Sequence, residues 1–253
     1  MKKFLKFFFN KIGYDVKKIN HENKNKSIDQ ILKDKISNNP IIFDVGGNKG
    51  QSIEKYLKIF DKPIIHSFEP IKTEFDYMYS KFKNNKNIFL NNFALGDISE
   101  EKEFNVTIRT GNSSFNKINP GTDWLKVRSK QFNTSEEGYV TSVQKVNVIK
   151  LDDYCKDKNI SVIDLVKIDT QGYEDKVLEG SLNLIKQNKI KAIQTEIMFD
   201  NVYDKYFSFS DIEKFIVKDN FRMVAINLVN NNLFSGLVFS ADICYFNKNY
   251  FDV

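Results

Sequence analysis

FDVGGNKGQS, from Phe43 to Ser52, follows the apolar pair Ile41 and Ile42 and precedes a helical pattern over residues 52–60. A short apolar run of Ile41, Ile42, Phe43 and Val45, stopped by Gly46 and Gly47, reads as a buried strand, a glycine turn and a helix. Outward from this unit the same grammar repeats. An apolar run over 64–68 ends at Glu69-Pro70 and leads into a helical stretch through Tyr77 to Phe82, and a third run over 88–95 ends at Gly96-Asp97. Further on, 162–168 and 191–197 read as strands, and 174–186 and 209–218 as helices. Residues 221–229 and 237–246 read as a closing antiparallel pair joined at Asn230, Asn231 and Asn232. The alternation predicts an α/β fold: a seven-stranded, mostly parallel sheet with an antiparallel terminal hairpin and helices on both faces. The middle of the chain breaks the pattern. Strands over 104–108 and 143–149 flank a polar Gly/Ser/Asn-rich stretch, so about 101–150 reads as an insertion or lid beside the site.

Composition narrows the class. At 253 residues with 41% hydrophobic and 14% aromatic side chains, the chain can bury a large core and is no disordered polymer. A mean hydropathy of −0.43 and scattered charges exclude a polytopic membrane protein. The net charge of +5 is local: residues 1–35 hold ten lysines against Asp15, Glu22, Asp29 and Asp34, an excess of six that leaves −1 for the remainder. The balanced body argues against nucleic acid as a partner. Residues 1–39 read as a basic N-terminal helical segment ahead of a domain over 40–253. Within it, residues 1–12 interleave Lys2, Lys3, Lys6 and Lys11 with Phe4, Leu5, Phe7, Phe8, Phe9 and Ile12, too short and interrupted for a signal peptide. Such a helix can pack on the domain, or lie on an anionic membrane surface as a peripheral contact of a cytoplasmic protein. Cys155 and Cys244 share no zinc-ligand spacing with His21 or His66 and read as reduced core thiols. No hard-ligand spacing of Asp and Glu marks a metal site.

The glycine turn sits where open α/β sheets bind nucleotide-like ligands, at the carboxyl edge of the strands. It lacks the third glycine spacing of the dinucleotide fingerprint, because Gly46 is followed by Asn48 and Gly50. Asp44 before the turn would repel a pyrophosphate, whereas it suits the cationic methionine end of S-adenosylmethionine. Glu69, 25 residues later at the end of the second strand, can accept both hydroxyls of a ribose. Asn92, Ala94 and Asp97 close the third strand, where an adenine pocket is expected. After the fourth strand, Asp169 and Gly172 again put an acid and a glycine turn on the same edge.

Together these motifs resemble the FkbM-type methyltransferases, over roughly residues 40–248. The resemblance is carried by FDVGGNKGQS (43–52), SFEP (67–70), NFALGD (92–97), NSSF (112–115), KLDDY (150–154), VKIDTQGYE (166–174) and TEI (195–197). Where the family often has Val-Glu, this chain has Thr170-Gln171, which costs a carboxylate at position 171. The resemblance implies a Rossmann-like class I methyltransferase fold and S-adenosylmethionine as cofactor. It places Asp44, Gly46, Asn48, Gly50 and Ser52 around the methionine part, Glu69 on the ribose and Asn92 and Asp97 toward the adenine. Asp169, Gly172 and Glu174 then face donor and acceptor, with Ser114 in a loop that can cover the cofactor or read substrate hydroxyls.

Methyl transfer to oxygen needs alignment, exclusion of water and a base for the hydroxyl proton. Asp169 is the first candidate base and Glu196 the second. Lys167 can hold an anionic acceptor or turn to a helix face, and Gln171 and Glu174 complete the candidate substrate contacts, although Glu174 also suits a helix cap. His66 lies within a strand, away from the edge, as a core histidine would. Trp124 and Tyr139 can stack on a sugar or pack the lid. The expected reaction is O-methylation of a sugar hydroxyl, on a nucleotide- or lipid-linked unit of a bacterial surface polysaccharide. The alternatives are a non-catalytic scaffold of a glycan-assembly complex and an NAD-dependent oxidoreductase.

Overall fold

The computed structural model describes residues 26–230 and 238–251. Expectations for residues 1–12 and for Asn231 and Asn232 lie outside the described residues. The first described helix, α1 (Ile28–Lys35), opens with Ser27 accepting the Gln30 N–H while the Gln30 side chain accepts the Ser27 N–H, a reciprocal cap. Ile28, Leu32 and Ile36 are buried with Ile42, Ile53 and Tyr56, so this part of the N-terminal segment belongs to the core.

The main sheet contains β1 (Ile41–Val45), β2 (Ile64–Phe68), β3 (Ile88–Asn91), β7 (Ile163–Ile168), β8 (Ile190–Met198), β9 (Phe221–Asn230) and β10 (Val238–Asn247). Their order is β3-β2-β1-β7-β8-β10-β9. The first five strands are parallel, and β10 runs antiparallel between β8 and β9. The expected terminal hairpin is therefore present, its last strand inserted between β8 and β9. Strands covered on both faces read as continuous apolar runs, and β7 (IDLVKI) is buried throughout. One face carries α2 (Gln51–Ile59) and α3 (Lys72–Phe82) beside α1, and buries Ile53, Tyr56, Met78 and Phe82. The opposite face carries α5 (Leu151–Asp157), α6 (Glu174–Glu179), α7 (Leu182–Lys186) and α8 (Phe209–Ile216) over Phe43, Val166 and Ile193. Among the described residues no helix is long and apolar enough to cross a membrane.

Two elements differ from the sequence reading. The run 88–95 divides into β3 and a separate β4 (Ala94–Leu95). The chain bends where Asn92 donates to the carbonyls of Glu69 (2.9 Å) and Pro70 (3.1 Å). The single helix expected over 174–186 is broken at Gly180. Its carbonyl accepts the Asp152 N–H (3.0 Å), and a Cβ there would stand 1.9 Å from the Gly96 oxygen.

The insertion forms β5 (Glu100–Thr107), α4 (Asp123–Gln131) and β6 (Val140–Ile149). Both strands extend beyond the apolar runs of the sequence. They make a second sheet in the order β4-β6-β5. Thr122 caps α4 by accepting the Leu125 N–H (3.2 Å), and Trp124 and Leu125 bury against Tyr139, Met198, Val202 and Tyr203. The order of strand addition in the main sheet turns back between the parallel strands β1 and β7, where Asp44 pairs with Lys167 and Val45 with Ile168. That is the crevice where open α/β sheets bind ligands.

Candidate active site

Gly46 adopts φ +85, and a Cβ on it would lie 2.0 Å from the Asp169 carbonyl oxygen, so the turns after β1 and β7 touch backbone to backbone. Asp169 N–H donates to the Val45 carbonyl (3.0 Å), while the Gly46 and Gly47 N–H groups both donate to the Phe68 carbonyl (3.1 and 3.0 Å). Three strand ends are thereby locked together. From the end of β2, Glu69 projects into this junction only 4% exposed. One of its oxygens accepts the Asn48 N–H and the other the Ile71 N–H, each at 2.8 Å. Burial lifts the Glu69 pKa to about 7, against the lowering by those two hydrogen bonds.

Glu69, Gly46, Asn48 and Asp169 line an open cavity, with Phe68, Ile71, Leu95 and Phe104 among its apolar walls. Beneath it, Asp44 is fully buried and accepts the Ser67 hydroxyl (3.0 Å). Lys167 reaches between two carboxylates, 3.4 Å from Asp44 and 3.2 Å from Asp169. Burial opposes the lysine charge, but Asp169 and Asp44 outweigh it and hold its pKa above the usual lysine value. Burial likewise works against ionised Asp169, and Lys167 and the Gln171 amide more than compensate, holding it below the usual carboxylate range.

A second open cavity adjoins the first and shares Gly111, Asp169 and Gln171 with it. Arg109, Trp124, Arg128, Glu196 and Ser240 line its far side. Gln171, in the left-handed region at φ 58, is the node between them. Its amide donates to Asp169 (3.0 Å) and Glu196 (2.7 Å), and its carbonyl oxygen accepts from Tyr203 (3.1 Å) and Asn112 (3.3 Å). Burial pushes Glu196 well above the usual carboxylate range, and the charges of Asp169 and Glu174 add to the effect. The junction thus sets an Asp169 biased toward its ionised form beside a Glu196 biased toward its protonated form.

Of the residues singled out from the sequence, Gly46, Asn48, Glu69 and Asp169 line the first cavity, and Asp169, Gln171 and Glu196 the second. The others are placed differently. Asp44 lies under the floor of the first cavity, and Lys167, on the same sheet face as Leu165, is held by its two carboxylates and not available to an anionic acceptor. Gly50, at φ 83, starts α2 where a Cβ would lie 2.5 Å from Phe82, and Ser52 follows inside that helix. Asn92 ties down the Glu69-Pro70 backbone, and Asp97 pairs with Lys176 (3.5 Å), so neither lines the cavity where a base was expected. Ser114 donates to the Gln171 carbonyl (2.7 Å) and Asn116 to that of Gly172 (2.7 Å), so the NSSF loop clamps the turn after β7, while Ser113 lines the cavity. Glu174 faces its own turn, accepting from the Thr170 N–H (2.8 Å) and hydroxyl (3.1 Å) and the Gly172 N–H (2.9 Å). Burial lifts it to about 7 against those hydrogen bonds. His66 contacts the Tyr154 hydroxyl (2.9 Å), stacks on Phe89 and is lowered to about 4 by burial and by Lys158, a core histidine. Cys155 and Cys244 are free and buried. Trp124 packs edge-on against Tyr139 and also forms cavity wall.

The sequence reading missed Arg109 and Arg128. A compositional signal marked them: only three of the 38 basic residues are arginine, and two of the three face this cavity.

A seven-stranded sheet of this order, with paired cavities at its switch point, defines a Rossmann-like α/β enzyme fold. The sequence profile of the methyltransferase FkbM domain matches residues 44–223, and the chain belongs to that family of methyltransferases. It is similar to the 2-O-methyltransferase NoeI of Sinorhizobium fredii (strain NBRC 101917 / NGR234), at 25% identity over 175 residues, covering 65% of this chain and 66% of that protein. The chain thus spans just under two thirds of that relative's length. Among solved structures it is similar to an rRNA methylase from Streptococcus thermophilus (TM-score 0.46, 8% identity, 92% of this chain and 99% of that one). Another is the magnesium protoporphyrin IX methyltransferase of Synechocystis PCC 6803 with bound SAM (TM-score 0.45, 10% identity, 97% and 96%).

Proposed function

We propose that this protein is an S-adenosylmethionine-dependent O-methyltransferase that methylates a sugar hydroxyl. The observation that carries this reading is the pair of adjoining cavities meeting at Asp169 and Gln171, a donor compartment and an acceptor compartment with one carboxylate common to both. The donor compartment suits the cofactor's chemistry. Glu69 offers an anchored carboxylate for a vicinal diol, Phe68, Ile71 and Phe104 offer apolar walls for a purine, and Asp169 offers negative charge for a cationic end. When bound, the cofactor supplies a methyl group on a cationic sulfur.

The residues of the chain then align and dry the reacting groups. Asp169 accepts the hydrogen bond of the acceptor hydroxyl and takes its proton. A weakly basic carboxylate suffices, because the hydroxyl becomes strongly acidic as its oxygen acquires a third substituent and a positive charge. Lys167 keeps Asp169 ionised and in place, and Gln171 fixes its second oxygen. Glu196, whose pKa burial raises, faces the same cavity and offers a further polar contact to the acceptor. A nucleotide- or lipid-linked unit of a bacterial surface polysaccharide is the acceptor class we favour, with residues 1–12 as a peripheral membrane contact at the cytoplasmic face. NoeI, a 2-O-methyltransferase, supports oxygen as the methylated atom.

Calorimetric titration with S-adenosylmethionine and with NADH, followed by mass spectrometry of nucleotide sugars incubated with the loaded protein, tests the proposal. Micromolar binding of the first alone and gain of one methyl group on a sugar are expected. Binding of NADH alone, or of neither, overturns it.

A further inference from the structure

The acceptor cavity carries more positive charge than methyl transfer to a neutral sugar requires. Arg128 lies in its wall only 7% exposed, stacked over Trp124 at 5.5 Å, with one guanidinium nitrogen donating to Gln131 (3.0 Å). Its Nε is buried and has no hydrogen-bond partner. Arg109 lines the same cavity from an exposed position. Among the described residues neither guanidinium makes an ion pair. The two are close enough that the charge of Arg109, after burial, lowers the pKa of Arg128. The cavity's own carboxylates do not answer them: Asp169 pairs with Lys167 and Gln171, and Glu196 accepts the Gln171 amide.

A buried guanidinium with an unmet donor is costly unless a ligand completes it. Arginine differs from lysine in presenting a planar fork of donors that matches an oxyanion, and this chain uses lysine almost everywhere else. Resting on the methyltransferase reading above, we infer that the acceptor carries an oxyanion, a carboxylate on the sugar or a phosphate linked to it, which Arg109 and Arg128 hold while Asp169 faces the hydroxyl. Arg109, at the exposed end, meets the anion first, and Arg128 with its Trp124 backing fixes its position.

The test uses the full chain saturated with S-adenosylhomocysteine and three probes: D-glucuronate for the carboxylate source, UDP-glucose for the phosphate source, and methyl glucoside as the neutral reference. At least one anionic probe should bind about tenfold or more tightly than the neutral one. Arg109→Gln, on an exposed side chain, and Arg128→Gln should each remove most of that preference while S-adenosylmethionine affinity stays within about twofold. Lys126→Gln, which deletes an exposed charge on α4, should leave the preference intact. Which anion binds identifies the source. If cofactor binds but no probe shows an anion preference, or the preference survives both arginine variants, the inference fails and the methyltransferase reading stands. If no cofactor binds, the underlying reading is the one that fails.

Discussion

Replacing Glu69 with glutamine keeps the shape of the donor compartment and removes its titratable charge. In the structure both Glu69 oxygens are held by backbone N–H groups, and burial lifts the carboxyl to about 7. A ligand diol that donates to this group favours its ionised form, so cofactor affinity should rise with pH. With a pKa near 7, the ionised fraction climbs from about one tenth at pH 6 to about nine tenths at pH 8, roughly a tenfold change in apparent Kd, or about 1.4 kcal/mol. Binding at pH 7 should also release roughly half a proton, visible as a dependence of the calorimetric enthalpy on buffer ionisation. Glu69→Gln should abolish the pH slope and the proton release and weaken binding by about 1 to 3 kcal/mol, the range for a lost charged hydrogen bond. Glu69→Ala should bind at least as poorly, since it also leaves the Asn48 and Ile71 N–H groups without their acceptor. A wild-type Kd that is flat from pH 6 to 8, or a glutamine variant with wild-type affinity, would refute the assignment of Glu69 to the ribose.

Three further outcomes are expected. Gly46→Ala combines a positive φ with a Cβ 2.0 Å from the Asp169 oxygen. It should cost about 2–5 kcal/mol in chemical denaturation and abolish cofactor binding, whereas Gly111→Ala, with open space around its Cβ, should leave stability unchanged. Asp169→Asn should lower kcat by about 10²–10⁴-fold, and an activity loss under about threefold would remove Asp169 from the role of base. Glu69 and Glu174 have folded pKa values raised to about 7, so the stability they contribute is full below the unfolded value of 4.5 and is lost as pH rises through 7. Tm should therefore fall between pH 5 and pH 8, with each group contributing up to about 3 kcal/mol, and a Tm that rises over that window contradicts the raised values.

The main sheet was legible because β1, β2, β7 and β8 are covered on both faces and read as apolar runs, and because β1 and β2 are also bounded by proline or glycine. Glu69 and Asp169 were legible for a related reason: they are acidic residues at the ends of strands whose ends meet. The break at Gly180 was not, because it depends on a contact with Gly96, more than eighty residues away in the chain. Asn92 and Asp97 occupy an edge position that suits a base pocket, yet one is spent on the Glu69-Pro70 carbonyls and the other on Lys176. The acceptor cavity was least legible of all. Its wall comes from Arg109, Trp124 and Arg128 in a polar stretch without periodicity, closed by Glu196, Met198 and Ser240 from the far side of the sheet.

The small sheet joins the two ends of the insertion. Leu95, just before it, pairs with Ile149 at its close, and Ala94 pairs with Val148. Everything between leaves and re-enters the body through neighbouring strands, and it touches the body again at Gln171, Gly172 and residues 198–205. Arg109, Trp124 and Arg128 lie within that excursion, whereas Gly46, Glu69 and Asp169 belong to the body. The arginine wall of the acceptor cavity is therefore one contiguous piece of chain, which also lends Phe104, Ser113 and Phe115 to the donor cavity. Any change of acceptor written into the excursion must preserve its clamp on residues 171–172, because that clamp holds the strand end that carries Asp169.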